Sequence, residues 1–134
     1  MPQNPLPVYA YDSPLPGFST AVTGASGNVA NAIATATLAA SGGTKTTYIT
    51  GFTITAAGAT AAAVVTATVT GTITGTLSYT FTIPAGATLG ATPLCVMFPV
   101  PVPASAANTA IAVALPALGT GNTNATVTAT GFQA

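Results

Sequence analysis

Charged residues are almost absent from this chain. Its 134 residues include one acidic side chain, Asp12, one basic side chain, Lys45, and no His or Trp, whereas charged residues make up about a quarter of a typical soluble domain. Catalytic acids and bases, activated nucleophiles and metal centres all need titratable side chains. The composition therefore predicts a protein that is not an enzyme and that has no metal site and no cofactor.

Partners that are recruited by charge are excluded for the same reason. Each phosphate that a protein neutralises needs a Lys or an Arg, so we expect no nucleic-acid partner. Asp12 and Lys45 could pair with each other, but an ion pair at a surface contributes only about 0–1 kcal/mol.

Cysteine is equally scarce, because Cys95 is the only one in the chain. It has no partner for an internal disulfide, and no histidine is present to activate it as a nucleophile. We therefore predict that Cys95 is a small apolar residue of the core.

Signals for export and membrane insertion are missing as well. The first residues have neither the basic nor the apolar region of a secretory signal. No window reaches the ~18 consecutive apolar residues of a membrane helix, and the longest apolar run, residues 94–104, contains three prolines. Asn124 begins an N-glycosylation pattern, which in this context we interpret as an ordinary turn asparagine. We expect no membrane partner.

Small residues dominate what is present. Ala (29), Thr (27) and Gly (14) supply 70 of the 134 positions, while Leu, Ile, Val and Phe supply 30. This apolar share lies just above the composition that is typical of disorder, and the high net charge that accompanies disorder is absent. The length fits one domain, which we assign to residues 18–134.

The first 17 residues differ from the rest in composition. They hold five of the 11 prolines, a density that favours extended or polyproline II backbone. Two interpretations remain open: a disordered tail, or an arm that lies on a neighbouring subunit. On the second interpretation the contact residues are the prolines and tyrosines of the arm, namely Pro2, Pro5, Pro7, Tyr9, Tyr11, Pro14 and Pro16.

From residue 18 onward, glycine-rich turns separate segments in which apolar and polar residues alternate. The turns are predicted at residues 24–28, 41–43, 57–58, 74–75, 84–86 and 119–122. Alternation is clearest in residues 76–83, where a period of two predicts a strand and excludes a helix. One face there has Leu77, Tyr79, Phe81 and Ile83, and the other has Thr76, Ser78, Thr80 and Thr82.

The other predicted strands are less regular. Tyr48, Phe52 and Ile54 are expected to share a face, and so are Val65, Val69 and Ile73. A strand with Leu94, Val96 and Phe98 on one face is expected to end at Pro99 and Pro101. Further strands are predicted near residues 18–23, 29–38, 111–115 and 126–132, of which the alanine-rich 29–38 would also suit a helix.

About eight short strands with almost no helical signal indicate an all-β fold. We predict an antiparallel β-sandwich, with an eight-stranded jelly roll as its commonest version. The order of the strands in space does not follow from the sequence.

The threonine faces of these strands have two interpretations. They either face solvent or are covered by other subunits. Soluble β-proteins protect their sheet edges with lysine and keep their net charge away from zero, and this chain does neither. We therefore expect a homo-oligomer, in which other subunits cover these edges and faces. Threonine ladders also occur in ice-binding proteins, which remain a lower alternative because no fixed repeat runs through the chain.

Four segments carry a resemblance to a known group. They are KTTYITGFTIT (residues 45–55), TLSYTFTIPAG (76–86), PVPASAANTAI (101–111) and GNTNATVTATG (121–131). Together they resemble small virion proteins of tailed bacteriophages, of the capsid decoration or cement type, over roughly residues 45–132.

The resemblance implies a function but transfers no catalytic residue. It implies a β-rich, non-enzymatic protein that is made in the host cytoplasm and binds the outer surface of an assembled capsid as a dimer or a trimer. There it would bridge subunits of the major capsid protein. An alternative is a receptor- or glycan-binding β-sandwich of a tail or fibre. It would need exposed aromatics together with carboxylates or amides, and the chain offers the aromatics Tyr9, Tyr11 and Tyr48 and a few asparagines.

Overall fold

The computed structural model describes residues 18–59, 63–83, 93–118 and 123–134. This part of the chain forms strands and contains no helix, so none that could cross a membrane. The strands are β1 (Thr20–Ala25), β2 (Val29–Ala30), β3 (Ala34–Leu38), β4 (Thr47–Ala57), β5 (Ala63–Thr72), β6 (Gly75–Ile83), β7 (Leu94–Pro103), β8 (Ile111–Leu115) and β9 (Asn124–Gln133). The prediction of an all-β fold is confirmed.

The strands form two antiparallel sheets, as a β-sandwich requires. The first sheet has the order β1-β9-β4-β7, with β2 also paired to β9, and the second has the order β3-β8-β5-β6. Pairs are nested along the chain: β1 with β9, β3 with β8, β4 with β7 and β5 with β6. The pairs β4–β9 and β5–β8 then complete the two sheets.

The core lies between the sheets and comes from the inward residues of both. Its largest fully buried side chains include Phe52 and Ile49 on β4, Leu38 on β3 and Ile111 on β8. Alanines fill many of the remaining inward positions, which lets the sheets approach closely. No buried side-chain nitrogen or oxygen in the described ranges lacks a hydrogen-bond partner.

Two predicted faces are wrong because the strands are irregular. A bulge between Ile49 and Gly51 changes the phase of β4, so Ile49, Phe52 and Ile54 point inward while Tyr48 lies on the opposite face. On β5, Val65, Ala67 and Val69 are buried, but the register shifts before Thr72. Thr72 is therefore buried and Ile73 is exposed in the turn.

Two predicted boundaries also differ from the structure. Strand β7 continues through Pro99 and Pro101 to Pro103, because an edge strand tolerates residues without an N–H on its unpaired side. Residues 29–38 form two strands rather than one, since Asn31 has a φ of 54° and interrupts the extended backbone.

The two flanks of the sandwich are closed to different degrees. At one flank, β1 lies directly against β3. A Cβ atom added at Gly24 would lie 2.3 Å from the carbonyl oxygen of Thr37, so only glycine permits this approach of the two backbones. At the other flank are the edge strands β6 and β7, whose inward side chains Leu77, Tyr79, Val96 and Phe98 are only half-buried.

Candidate functional site

The outer face of the first sheet is built from uncharged hydroxyl side chains. Cross-strand neighbours on β4 and β9 are Thr53 with Thr128 and Thr55 with Thr126. Further along the strands, the hydroxyls of Thr50 and Thr130 are hydrogen-bonded at 3.2 Å. The alternation therefore places a patch of threonine across the two central strands.

The outer face of the second sheet has the same chemistry and extends over all four strands. One row crosses the sheet as Thr35, Ala114, Thr68 and Ser78. A neighbouring pair, Thr66 and Thr80, joins β5 to β6 through a hydroxyl hydrogen bond of 2.9 Å. This face thus offers methyl and hydroxyl groups without charge.

Lys45 is the only charged side chain in the described ranges. Its Nζ donates to the carbonyl oxygen of Phe18 at 3.1 Å, and lies 3.5 Å from Oγ1 of Thr20. The ammonium group of Lys45 therefore binds the chain at the start of β1. Asp12, the one acidic residue with which Lys45 could pair, lies outside the described ranges, as do the predicted arm residues Pro2, Pro5, Pro7, Tyr9, Tyr11, Pro14 and Pro16.

Tyr48, a candidate ligand-binding aromatic, is engaged within the fold. Its ring stacks on that of Phe132, with centroids 4.9 Å apart and an interplanar angle of 10°. Tyr48 is half-buried and Phe132 is buried. The pair therefore stabilises the β4–β9 ladder, and neither ring is a free platform for a ligand.

Two amides that the sequence separates by almost a hundred positions meet at one end of the first sheet. Nδ2 of Asn28 donates to Oδ1 of Asn124 at 3.0 Å. They line a shallow depression of about 280 Å³, whose other walls are formed by Thr55, Ala56, Ala57, Ala125 and Thr126. The interpretation of Asn124 as a turn residue is wrong, because it is the first residue of β9. Sequence reasoning missed the pair, since only the β2–β9 pairing brings it together.

Cys95 is exposed, so the prediction of a core cysteine is wrong. Leu94, Val96 and Phe98 point inward from β7, and alternation directs Cys95 and Met97 outward. Met97 covers Gly51 of the neighbouring strand and is itself 68% exposed. This edge of the first sheet therefore has more apolar surface than its threonine centre.

An aromatic cluster lies at the flank of the sandwich that is formed by the edge strands β6 and β7. The ring of Tyr79 makes an edge-on contact with that of Phe52 at 5.2 Å, and both approach Phe98, at 6.5 and 6.4 Å. Burial raises the pKa of Tyr79 above its ordinary value of 10.0. The cluster holds β6 and β7 to the core through β4.

The described residues hold no group of three or more His, Cys, Asp or Glu side chains that could bind a metal ion. The candidate site is therefore a set of surfaces: two uncharged sheet faces and the edge strands β6 and β7. Comparisons with protein-family models, with curated proteins and with solved structures gave no match.

Proposed function

We propose that this chain is a non-enzymatic virion structural protein that decorates an assembled phage capsid and bridges its subunits. The observation that carries the proposal is that the described residues of both outer sheet faces include no charged side chain and expose threonine, serine and alanine instead. Soluble proteins keep charge on such faces to prevent association. Surfaces of this kind are suited to permanent contact with other subunits.

We further propose that the sandwich is a jelly roll. Two observations support this description. Eight strands in two four-stranded sheets result when β1 and β2 count as one interrupted strand. The nested pairs β1–β9, β3–β8, β4–β7 and β5–β6 are those expected when a long two-stranded ribbon is rolled up.

The size of one sheet face bears on the role of the arm. In the first sheet, where β4, β7 and β9 have 10 or 11 residues, four strands at ~4.8 Å spacing and about ten residues at ~3.3 Å each give a projected area of roughly 600 Å². A stable interface buries about 800 Å² on each partner. Because the accessible surface of a corrugated face exceeds its flat projection, one face is close to this size by itself, and the proline-rich residues 1–17 would extend the contact as a tether on a neighbouring subunit.

The proposal places the protein on the capsid surface after synthesis in the host cytoplasm, with the major capsid protein lattice as its partner. Cryo-electron microscopy of virions that contain the chain tests this directly, with density for the β-sandwich on the outer shell as the expected result. A location on the tail, or absence from purified virions, would contradict it.

Binding to purified capsids separates the contributions of the face and the arm. Because the surfaces lack charge, co-sedimentation should change little between low and high salt, and strong weakening by salt would count against the proposal. A chain without residues 1–17 should fold but bind more weakly, and equal binding would remove the arm from the mechanism.

A receptor- or glycan-binding function has one observation in its favour, the Asn28–Asn124 amide pair in its depression. Amides are suited to sugar hydroxyls, but none of the described residues that line this depression is aromatic. Binding on a glycan array, lost in Asn28→Ala, would support this alternative over the capsid role.

The threonine rows of the second sheet are the observation that favours ice binding. The row through Thr35, Ala114, Thr68 and Ser78 is regular but only four strands wide. A thermal-hysteresis measurement on the isolated protein decides the matter, and we expect none.

A further inference from the structure

Strand β6 is the least protected sheet edge in the described ranges. It runs for nine residues without a proline or a charged residue, and among the described strands it pairs only with β5. The other edges are guarded. Strand β7 contains Pro99, Pro101 and Pro103, β3 has five residues and lies against Gly24 of β1, and the edge at β1 and β2 is interrupted.

Unprotected edges of this length are templates for a further strand. The inner face of β6 adds an apolar reason for pairing, because Leu77, Tyr79 and Phe81 are half-buried although they point toward the core. A strand added beyond β6 would cover the exposed part of these side chains and pair the free backbone groups.

The sequence of β6 is nearly symmetric about Tyr79. Ser78 and Thr80 flank it as hydroxyl residues, Leu77 and Phe81 follow as apolar residues, and Thr76 and Thr82 as hydroxyl residues again. In an antiparallel pair centred on Tyr79, apolar side chains face apolar ones and hydroxyls face hydroxyls. Such a segment is complementary to a second copy of itself across a two-fold axis.

We propose that two copies of this chain associate through antiparallel pairing of their β6 strands, centred on Tyr79. The two second sheets then form one continuous eight-stranded sheet, and their threonine faces merge into a single surface. This dimer rests on the proposed function, because it specifies how two copies of the chain contact each other in the assembly. It does not depend on the capsid as partner, because it is tested on the isolated protein in solution.

The first experiment disrupts the edge with charge. In the double variant Ser78→Lys/Thr80→Lys, each new lysine lies opposite a lysine of the other copy, and like charges in cross-strand positions are destabilising. The matched control is Thr35→Lys/Thr37→Lys, which changes exposed residues on the opposite edge of the same sheet. Circular dichroism establishes that both variants are folded.

Sedimentation velocity then gives the oligomeric state of each protein. We expect a dimer for the unmodified chain and the control, and dimerisation about 10- to 30-fold weaker in the β6 variant at low salt. A monomer or trimer for the unmodified chain would overturn the proposal, and so would equal weakening in the two variants. A dimer that fails to bind capsids would contradict the capsid proposal alone.

A second experiment measures the register. With Cys95→Ser as background, a spin label on Thr82→Cys lies three residues from the axis, so the two labels are separated by about 20 Å along the strands. A label on Thr37→Cys, at the far edge of each sheet, gives about 34 Å or more from seven strand spacings. Equal distances at the two positions, or a longer one at residue 82, would refute the β6 pairing.

Discussion

The closed flank of the sandwich allows a sharp test at Gly24. In Gly24→Ala, the added Cβ would lie 2.3 Å from the carbonyl oxygen and 2.6 Å from the carbonyl carbon of Thr37. Ordinary contacts begin near 3.4 Å, so the distance to the oxygen must grow by 3.4 − 2.3, or about 1.1 Å. Both obstructing atoms belong to the backbone, and no side chain can rotate away to make room.

The expected loss of stability in Gly24→Ala follows from this displacement. Overpacking of a well-packed site lowers the free energy of unfolding by about 1–3 kcal/mol. Replacing glycine by alanine also reduces the conformational entropy of the unfolded chain, which offsets about 0.4–1 kcal/mol of this loss. The net loss is therefore about 1–2 kcal/mol, which lowers Tm by roughly 4–8 °C in a domain of this size.

Urea unfolding followed by circular dichroism measures this loss, with Gly43→Ala as the control. A Cβ at Gly43 meets nothing within 4 Å, so that variant should stay within about 0.5 kcal/mol of the unmodified chain. If Gly24→Ala is as stable as its control, the close approach of β1 and β3 is not what closes this flank.

Three further predictions concern the core, the aromatic cluster and the exposed thiol. Phe52→Ala should lower the free energy of unfolding by about 3–5 kcal/mol, whereas Thr53→Ala, exposed on the same strand, should change it by less than about 0.5 kcal/mol. Similar losses in the two variants, measured by urea unfolding, would contradict the assignment of faces on β4. Burial raises the folded-state pKa of Tyr79, so Tyr79 ionises at a lower pH in the unfolded chain than in the folded one. Its contribution to the free energy of unfolding is fully present below about pH 10 and is lost as the pH rises through the folded-state pKa. Urea unfolding at a series of alkaline pH values should show a smaller loss of stability in Tyr79→Phe than in the unmodified chain. An unchanged dependence of stability on pH would refute the burial argument. Cys95 should react with a thiol reagent in the native protein at a rate close to that of the unfolded chain, and protection until unfolding would show that it is buried after all.

Much of the fold follows from alternation along single strands. The pattern of residues 76–83 predicts β6 and its inner face, and those of 94–98 and 111–115 predict the inward faces of β7 and β8, although β7 continues to Pro103. These segments are regular, so each residue type reports its face directly. The phase of β4 was not predictable, because the bulge after Ile49 depends on pairing with β7 and β9.

The surfaces were harder to predict than the strands. Cys95 was assigned to the core from the general preference of cysteine for burial, although the alternation of Leu94 and Val96 already directed it outward. The symmetry of β6 about Tyr79 is visible in the sequence, but its importance depends on β6 being an edge, which only the strand order reveals.

The nested pairing has a consequence for how the chain is made. Thr20 pairs with Gln133, 113 positions later, and β9 is the strand that joins β1 to β4. The first sheet therefore cannot assemble on the ribosome until its last strand has emerged. Contacts between residues so far apart in the sequence also form slowly. Until then β1 and β4 lack the strand that lies between them, and neither carries a charged residue that would keep chains apart. We expect the yield of folded protein to depend strongly on synthesis rate and chain concentration.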